Sequence, residues 1–136
     1  MTQDFTDNRN CFICGEKNPH GLGLVFRLDA ERGEAAADVV FPERFQGWEK
    51  IVHGGLLAAV LDEAMIYAAA ARGLKCVTGE MTVRFVKPAR TEEAHRLRGR
   101  LTGERKGKIV FAESEITGGD GETVARATGK LFLVGA

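Results

Sequence analysis

Cysteine is scarce in this chain and odd in number, with residues only at positions 11, 14 and 76, so no complete disulfide framework can be drawn for it. Net charge is absent too: 19 acidic residues balance 19 basic ones. That balance argues against non-specific nucleic-acid binding and against attraction to an anionic membrane surface. No apolar run approaches the roughly 18 residues of a membrane span once Asp62 and Glu63 are counted. The polar start, Met1 to Asn10, lacks the apolar centre of a signal peptide. These absences set the expectation of a cytoplasmic protein in a reducing compartment, with neither nucleic acid nor membrane as a partner.

Glycine is abundant instead, 17 residues spread along the chain without forming a low-complexity tract. We read them as turns and close-packing positions. At 136 residues the chain is long enough for one domain and short for two, so a single unit over 1–136 is expected, with 1–10 as a loosely ordered terminus. A domain of this length buries roughly two-thirds of its unfolded surface and needs no disulfides to hold a core.

Cys11 to Gly21 is turn-like, with Asn18-Pro19 as the clearest initiator. Alternation follows. Leu22, Leu24, Phe26 and Leu28 share one face of a strand, Ala35, Ala37, Val39 and Phe41 share a face of the next, and Arg32-Gly33 turns between them. Pro42 to Val52 is irregular. The segment from Gly54 to Ala71 then has apolar residues on every side, including seven alanines, and a helix hydrophobic all round is normally buried. Arg72-Gly73 is its stop signal.

Beyond the helix the period returns to two. Val77, Met81, Val83 and Phe85 line one face, and Leu97, Gly99 and Leu101 alternate with Arg96, Arg98 and Arg100. Lys106-Gly107 and Gly118-Gly119-Asp120-Gly121 are turns, and Ala125, Ala127, Gly129, Leu131 and Leu133 form a last inward row. The pattern predicts an α+β architecture: two strands, one helix over about 54–72, then four strands in a meander. A curved antiparallel sheet of about six strands can bury such a helix by wrapping around it, and alanines let the two approach closely.

The helix start, His53-Gly54-Gly55, offers no Ser, Thr, Asp or Asn as a cap, although its first backbone N–H groups need partners. Glycine-lined donors there could receive an anion or a developing oxyanion, or the glycines could simply permit a turn capped by water. Asp62 and Glu63 are the only charges between Gly54 and Ala71. A carboxylate inside so apolar a helix is costly unless it is paired or functional, with Arg84 or Lys87 as conceivable partners. Neighbouring residues point about 100° apart, so one pocket takes only one of the two. Gly54 and Asp62 are roughly 12 Å apart along the axis, too far for both to serve one carbonyl. Two antiparallel copies of the helix could bring them together, so an active site here should be shared between subunits.

The segment Ile51-Val-His-Gly-Gly-Leu-Leu-Ala-Ala-Val-Leu-Asp-Glu63 resembles the helix-start motif of hotdog-fold thioesterases of the phenylacetate-pathway (PaaI-like) type. The opening Cys11-Phe-Ile-Cys-Gly-Glu-Lys-Asn-Pro-His-Gly-Leu-Gly-Leu24 is similar to that of one branch of the family, and Phe85-Val-Lys-Pro-Ala89 matches a strand end. The resemblance implies an acyl-CoA thioesterase, a homodimer or a dimer of dimers, needing no cofactor because coenzyme A is part of the substrate. It implies Gly54, with Gly55, as backbone donor to the thioester oxygen, and Asp62 of the neighbouring subunit as general base or nucleophile. Glu63 is the alternative carboxylate. Thr78 would orient the water and His53 would support the loop. Gln46 stands beside Gly47, where some relatives place a contributing amide. Lys87 and Arg90, and further Arg105, Lys106 and Lys108, are candidates for the coenzyme A phosphates.

Four rival readings stand beside this one. Cys11-x-x-Cys14 with His20 has zinc-ligand spacing, but Cys76 or His53 would have to complete the set from afar, so small thiols in a tight turn, without metal, are expected. A redox role lacks the βαβ setting, and a hydratase would want Asp and His closer together than His53 and Asp62. A non-catalytic acyl-CoA binder is the alternative from another class.

Overall fold

Helix α1, Gly54–Ala71, is the axis about which the chain is arranged, and the computed structural model describes residues 5–134 around it. Six antiparallel strands form one sheet: β1 (Arg27–Asp29), β2 (Glu34–Val40), β3 (Cys76–Phe85), β4 (Ala94–Arg105), β5 (Ile109–Gly118) and β6 (Thr123–Leu133). Their order is β1-β2-β4-β5-β6-β3. The sheet curves around α1, as the alternation and the apolar helix required. By length and composition α1 could cross a membrane, but Leu56, Leu57, Val60, Leu61, Ala64, Met65, Ala68 and Ala69 are buried within the fold.

Small residues set the spacing. Gly99 of β4 lies under the helix, where a Cβ would stand 2.2 Å from the Ala64 carbonyl oxygen. Ser114 of β5 donates its hydroxyl to the Leu61 carbonyl at 2.8 Å, tying helix to sheet. The helix ends where the sequence indicated. Gly73 takes φ +73°, and the Leu74 N–H returns to the Ala69 carbonyl at 3.0 Å.

Three strand-level expectations need correction. The strands after the helix do not form a four-strand meander: β4, β5 and β6 do, but β3 pairs with β6 and forms the far edge, while β4 inserts beside β2. Only Arg27–Asp29 of the first expected strand is laddered. Leu22 and Leu24 instead donate backbone bonds to Phe12 and Ile13 of the cysteine turn, at 2.8 and 2.9 Å. Leu24 is buried, whereas Leu28 is exposed.

The third correction concerns β3. Its register slips between Thr78 and Glu80, so Gly79 is an extra, unpaired residue. Thr78 lies opposite buried Leu131, and Val77 opposite the part-exposed Phe132. Val77 therefore faces away from Met81, Val83 and Phe85 rather than with them. The Phe132 ring occupies the space a Gly79 side chain would need.

Of the terminus expected to be loose, residues 1–4 lie outside the described residues. From Asp7 on the chain is held by local bonds, including Lys17 N–H to the Arg9 carbonyl and Asn18 Nδ2 to the Asn10 carbonyl.

Candidate active site

The helix start is capped, and the cap is His53. Its Nδ1 accepts the Gly55 N–H at 2.8 Å, which places the imidazole proton on Nε2. Sequence reasoning missed this because histidine is not among the preferred capping residues. The consequence is selective. The Gly55 donor is taken, whereas among the described residues the Gly54 N–H has no acceptor within the chain. Gly54 faces the ring of Phe85, 3.6 Å from where its Cβ would be, and that ring is 55% exposed.

The loop before the cap is closed by its own bonds. His53 N–H donates to Phe45 at 3.0 Å, Gly47 N–H to Ile51 at 2.8 Å and Val52 N–H to Ala89 at 2.8 Å. The Gln46 carboxamide oxygen accepts the Lys50 N–H at 2.9 Å, so that side chain serves the loop itself.

Two turns along the helix the adjacent carboxylates part company. Asp62 accepts a hydrogen bond from the Thr78 hydroxyl. The Gly79 bulge makes this contact, because it turns Thr78 inward at the start of β3. Glu63, about 100° further round the helix, faces the N-terminal turn instead. Its Oε1 lies 3.1 Å from the Cys14 thiol and 3.7 Å from that of Cys11. Burial raises the Glu63 carboxyl above its ordinary value, and the neighbouring Asp62 charge adds to this, while bonds from the two thiols oppose it. Burial likewise pushes the Cys14 thiol up to about 12, with Glu63 adding to the rise. Tyr67, stacked on Phe26 at 4.4 Å, is raised by burial beside Cys14. The structure therefore sets Asp62 with Thr78 and takes Glu63 away from them.

The basic candidates also separate. Lys87 is engaged by Glu122 at 2.6 Å and Asp120 at 3.2 Å, and these carboxylates raise its ammonium above the usual lysine value. Arg90 is exposed and bridges through its backbone to Ile51, beside the helix start, and it forms no ion pair among the described residues. Arg105 lies over the Phe111 ring at 5.4 Å, and Lys106 and Lys108 belong to the β4–β5 turn. A hollow of about 570 Å³ lies on the face of the sheet opposite α1, bordered by Arg84, Arg98, Arg100, Arg126, Glu113 and Glu115. Of these, Arg100 and Glu113 are ion-paired at 2.5 Å, and the hollow lies on the wrong side of the sheet to serve Asp62 of the same chain.

One helix enclosed by a curved six-stranded antiparallel sheet is the hotdog fold. The chain belongs to the thioesterase superfamily, which matches residues 49–125. A phenylacetic acid degradation-related protein from Ralstonia eutropha JMP134 is 30% identical over 82% of this chain and 85% of that one, with a TM-score of 0.72. The PaaI protein of the E. coli phenylacetic acid degradation operon is 24% identical, at TM-score 0.77, over 85% and 82% of the two chains. A further thioesterase superfamily protein is 26% identical at TM-score 0.83 over 92% of this chain, which spans 60% of that protein's length. Two streptococcal proteins of the same fold, 17% and 18% identical, were crystallised with acetyl-CoA and with coenzyme A. No curated protein matches the sequence significantly.

Proposed function

We propose that the protein is an acyl-CoA thioesterase, hydrolysing a thioester to a carboxylic acid and coenzyme A at a site shared by two subunits. The observation that carries this reading is the Thr78–Asp62 hydrogen bond. It gives a half-buried carboxylate in an apolar helix a fixed orientation. In the proposed reaction Asp62 takes a proton from water as the water oxygen bonds to the thioester carbonyl carbon, or Asp62 attacks that carbon itself to form an anhydride that water then hydrolyses to the acid. The Gly54 N–H of the other subunit receives the negative charge that develops on the carbonyl oxygen. The carbon–sulfur bond then breaks, and the sulfur leaves as thiolate and is protonated.

Sharing follows from the roughly 12 Å of helix between Gly54 and Asp62. Among the described residues the outer edge of β3 has no partner strand, and Phe85 and Val86 beside it are exposed, which suits cover by a second copy. The streptococcal neighbours support the ligand class. The pneumococcal neighbour was also crystallised as two variants, an aspartate and a threonine sixteen positions later each replaced by alanine, and Asp62 and Thr78 have that same separation. All three cysteines are free, which fits the cytoplasmic setting we assign.

The test is release of free thiol from a panel of acyl-CoAs, wild type beside Asp62→Asn. Turnover that falls at least a hundredfold in a folded variant supports the assignment. A folded oligomer that binds acyl-CoA without turnover would make it a binding protein.

A further inference from the structure

The active-site reading leaves one group of reactive side chains unused, on the other side of α1. Cys11 and Cys14 open a tight turn in which the Gly15 N–H donates to the Cys11 carbonyl at 2.8 Å and the Ile13 N–H points at the Cys11 sulfur from 3.4 Å. Gly15 makes this turn possible, since a Cβ there would stand 2.4 Å from the Cys11 nitrogen and 2.5 Å from its oxygen. Ile13, between the cysteines, is buried at 1% exposure and anchors the turn. Both thiols are thereby aimed at Glu63.

One ligand atom from each of Cys11, Cys14 and Glu63 lies within 4.8 Å of the others, and all three residues are half-buried. In a tetrahedral zinc site the donor atoms stand roughly 3.3–3.8 Å apart, given metal–sulfur and metal–oxygen distances of about 2.3 and 2.1 Å. Closing the present spacing to that value takes only small side-chain adjustments. Among the described residues Glu63 forms no ion pair, and the titratable groups around the cluster are the acids Asp62, Asp7 and Tyr67. Three potentially anionic donors converge where, among the described residues, no cationic side chain pairs with Glu63.

We propose that Cys11, Cys14 and Glu63 form a binding site for a thiophilic divalent cation of the zinc class. Two sulfur donors favour zinc or cobalt over magnesium or calcium, which prefer oxygen. On binding, two metal–sulfur bonds and one metal–oxygen bond form, the thiol protons pass to solvent, and water takes the fourth position. His20, the ligand that sequence spacing offered, is exposed and outside the cluster. The bound cation would fasten the N-terminal turn to α1 on the side away from Thr78. This inference does not depend on the thioesterase reading.

The experiment is titration of the reduced, chelator-stripped full chain with cobalt(II), followed by absorption. The expected result is one equivalent per chain, with a thiolate-to-cobalt charge-transfer band and the visible bands of a tetrahedral ion, displaced by zinc. Zinc should also raise the melting temperature. Cys11→Ser with Cys14→Ser should abolish the band, Glu63→Gln should weaken binding at least tenfold, and Cys76→Ser should change nothing. No band from folded wild type at stoichiometric cobalt would overturn the proposal. So would a band that survives the double cysteine variant, or an affinity that Glu63→Gln leaves unchanged; the last serves even where the cysteine variants fail to fold.

Discussion

The Thr78 hydroxyl donates to the Asp62 carboxylate, joining the middle of α1 to the bulged start of the strand that follows it. A hydrogen bond to a charged group contributes about 1.5–3 kcal/mol when its loss leaves that group short of a donor. Thr78→Val keeps the shape and removes the donor. We expect kcat to fall roughly 10- to 150-fold, by the same free energy, while circular dichroism stays unchanged. Thr78→Ser should recover most of the rate. Equal rates for valine and wild type would remove Thr78 from the mechanism.

The capped helix start allows the oxyanion donor to be deleted without deleting the helix. Gly54 is the first helical residue, the position where proline is well tolerated. The preceding residue, His53, has φ −59° and ψ 131°, which is compatible with a following proline. Gly54→Pro removes the Gly54 N–H, which has no acceptor among the described residues, and leaves the His53–Gly55 cap in place. The expected outcome is a folded protein with kcat reduced about 10²–10³-fold, the usual effect of losing one oxyanion donor. If steady-state kinetics show full activity, the oxyanion is held elsewhere.

The two strongest phosphate candidates should behave differently because one is already paired. Arg90→Ala should raise KM for acyl-CoA up to about fivefold, close to 1 kcal/mol for an exposed charge pair, with kcat little changed. The difference should shrink as salt is added. Lys87→Ala breaks contacts to Asp120 and Glu122 instead and should leave KM where it was. The reverse ranking of the two variants would refute this assignment.

Where local chemistry decides the structure, the sequence was a good guide. The apolar helix, its Arg72-Gly73 stop, the inward row of β4 and the turns at Lys106-Gly107 and Gly118 to Gly121 are all where their residue types put them. Long-range pairing is different. Alternation cannot tell that β3 pairs with β6, because every strand here alternates. Nor can it see one bulged glycine, and the Gly79 bulge reverses the faces of Val77 and Thr78. In the candidate site, the resemblance gave Asp62 and Thr78 neighbouring roles and the structure joins the two by a hydrogen bond, while the 100° step between neighbours sends Asp62 and Glu63 to different partners. What Glu63 would meet was hidden, since its partners lie 49 and 52 residues earlier in the chain. The available signal was two ligand-type thiols and one helix carboxylate, each without a local partner.

The seat of α1 on the sheet depends on the bare backbone of Gly99. A Cβ at that position would stand 2.2 Å from the Ala64 carbonyl oxygen and 2.5 Å from its carbon, both helix backbone that cannot turn aside. Gly99→Ala must therefore lift the helix, loosening Ala64 and Met65 from full burial and straining the nearby Ser114–Leu61 bond. Overpacking of this kind costs on the order of 3 kcal/mol, or roughly 10 °C in melting temperature for a domain of this size. Gly103, four residues along the same strand, is the control: a Cβ there would meet only Phe111, at 3.9 Å. Calorimetry should find Gly103→Ala within about 1 kcal/mol of wild type. If Gly99→Ala melted with it, the helix would have to be seated further from β4 than this packing allows.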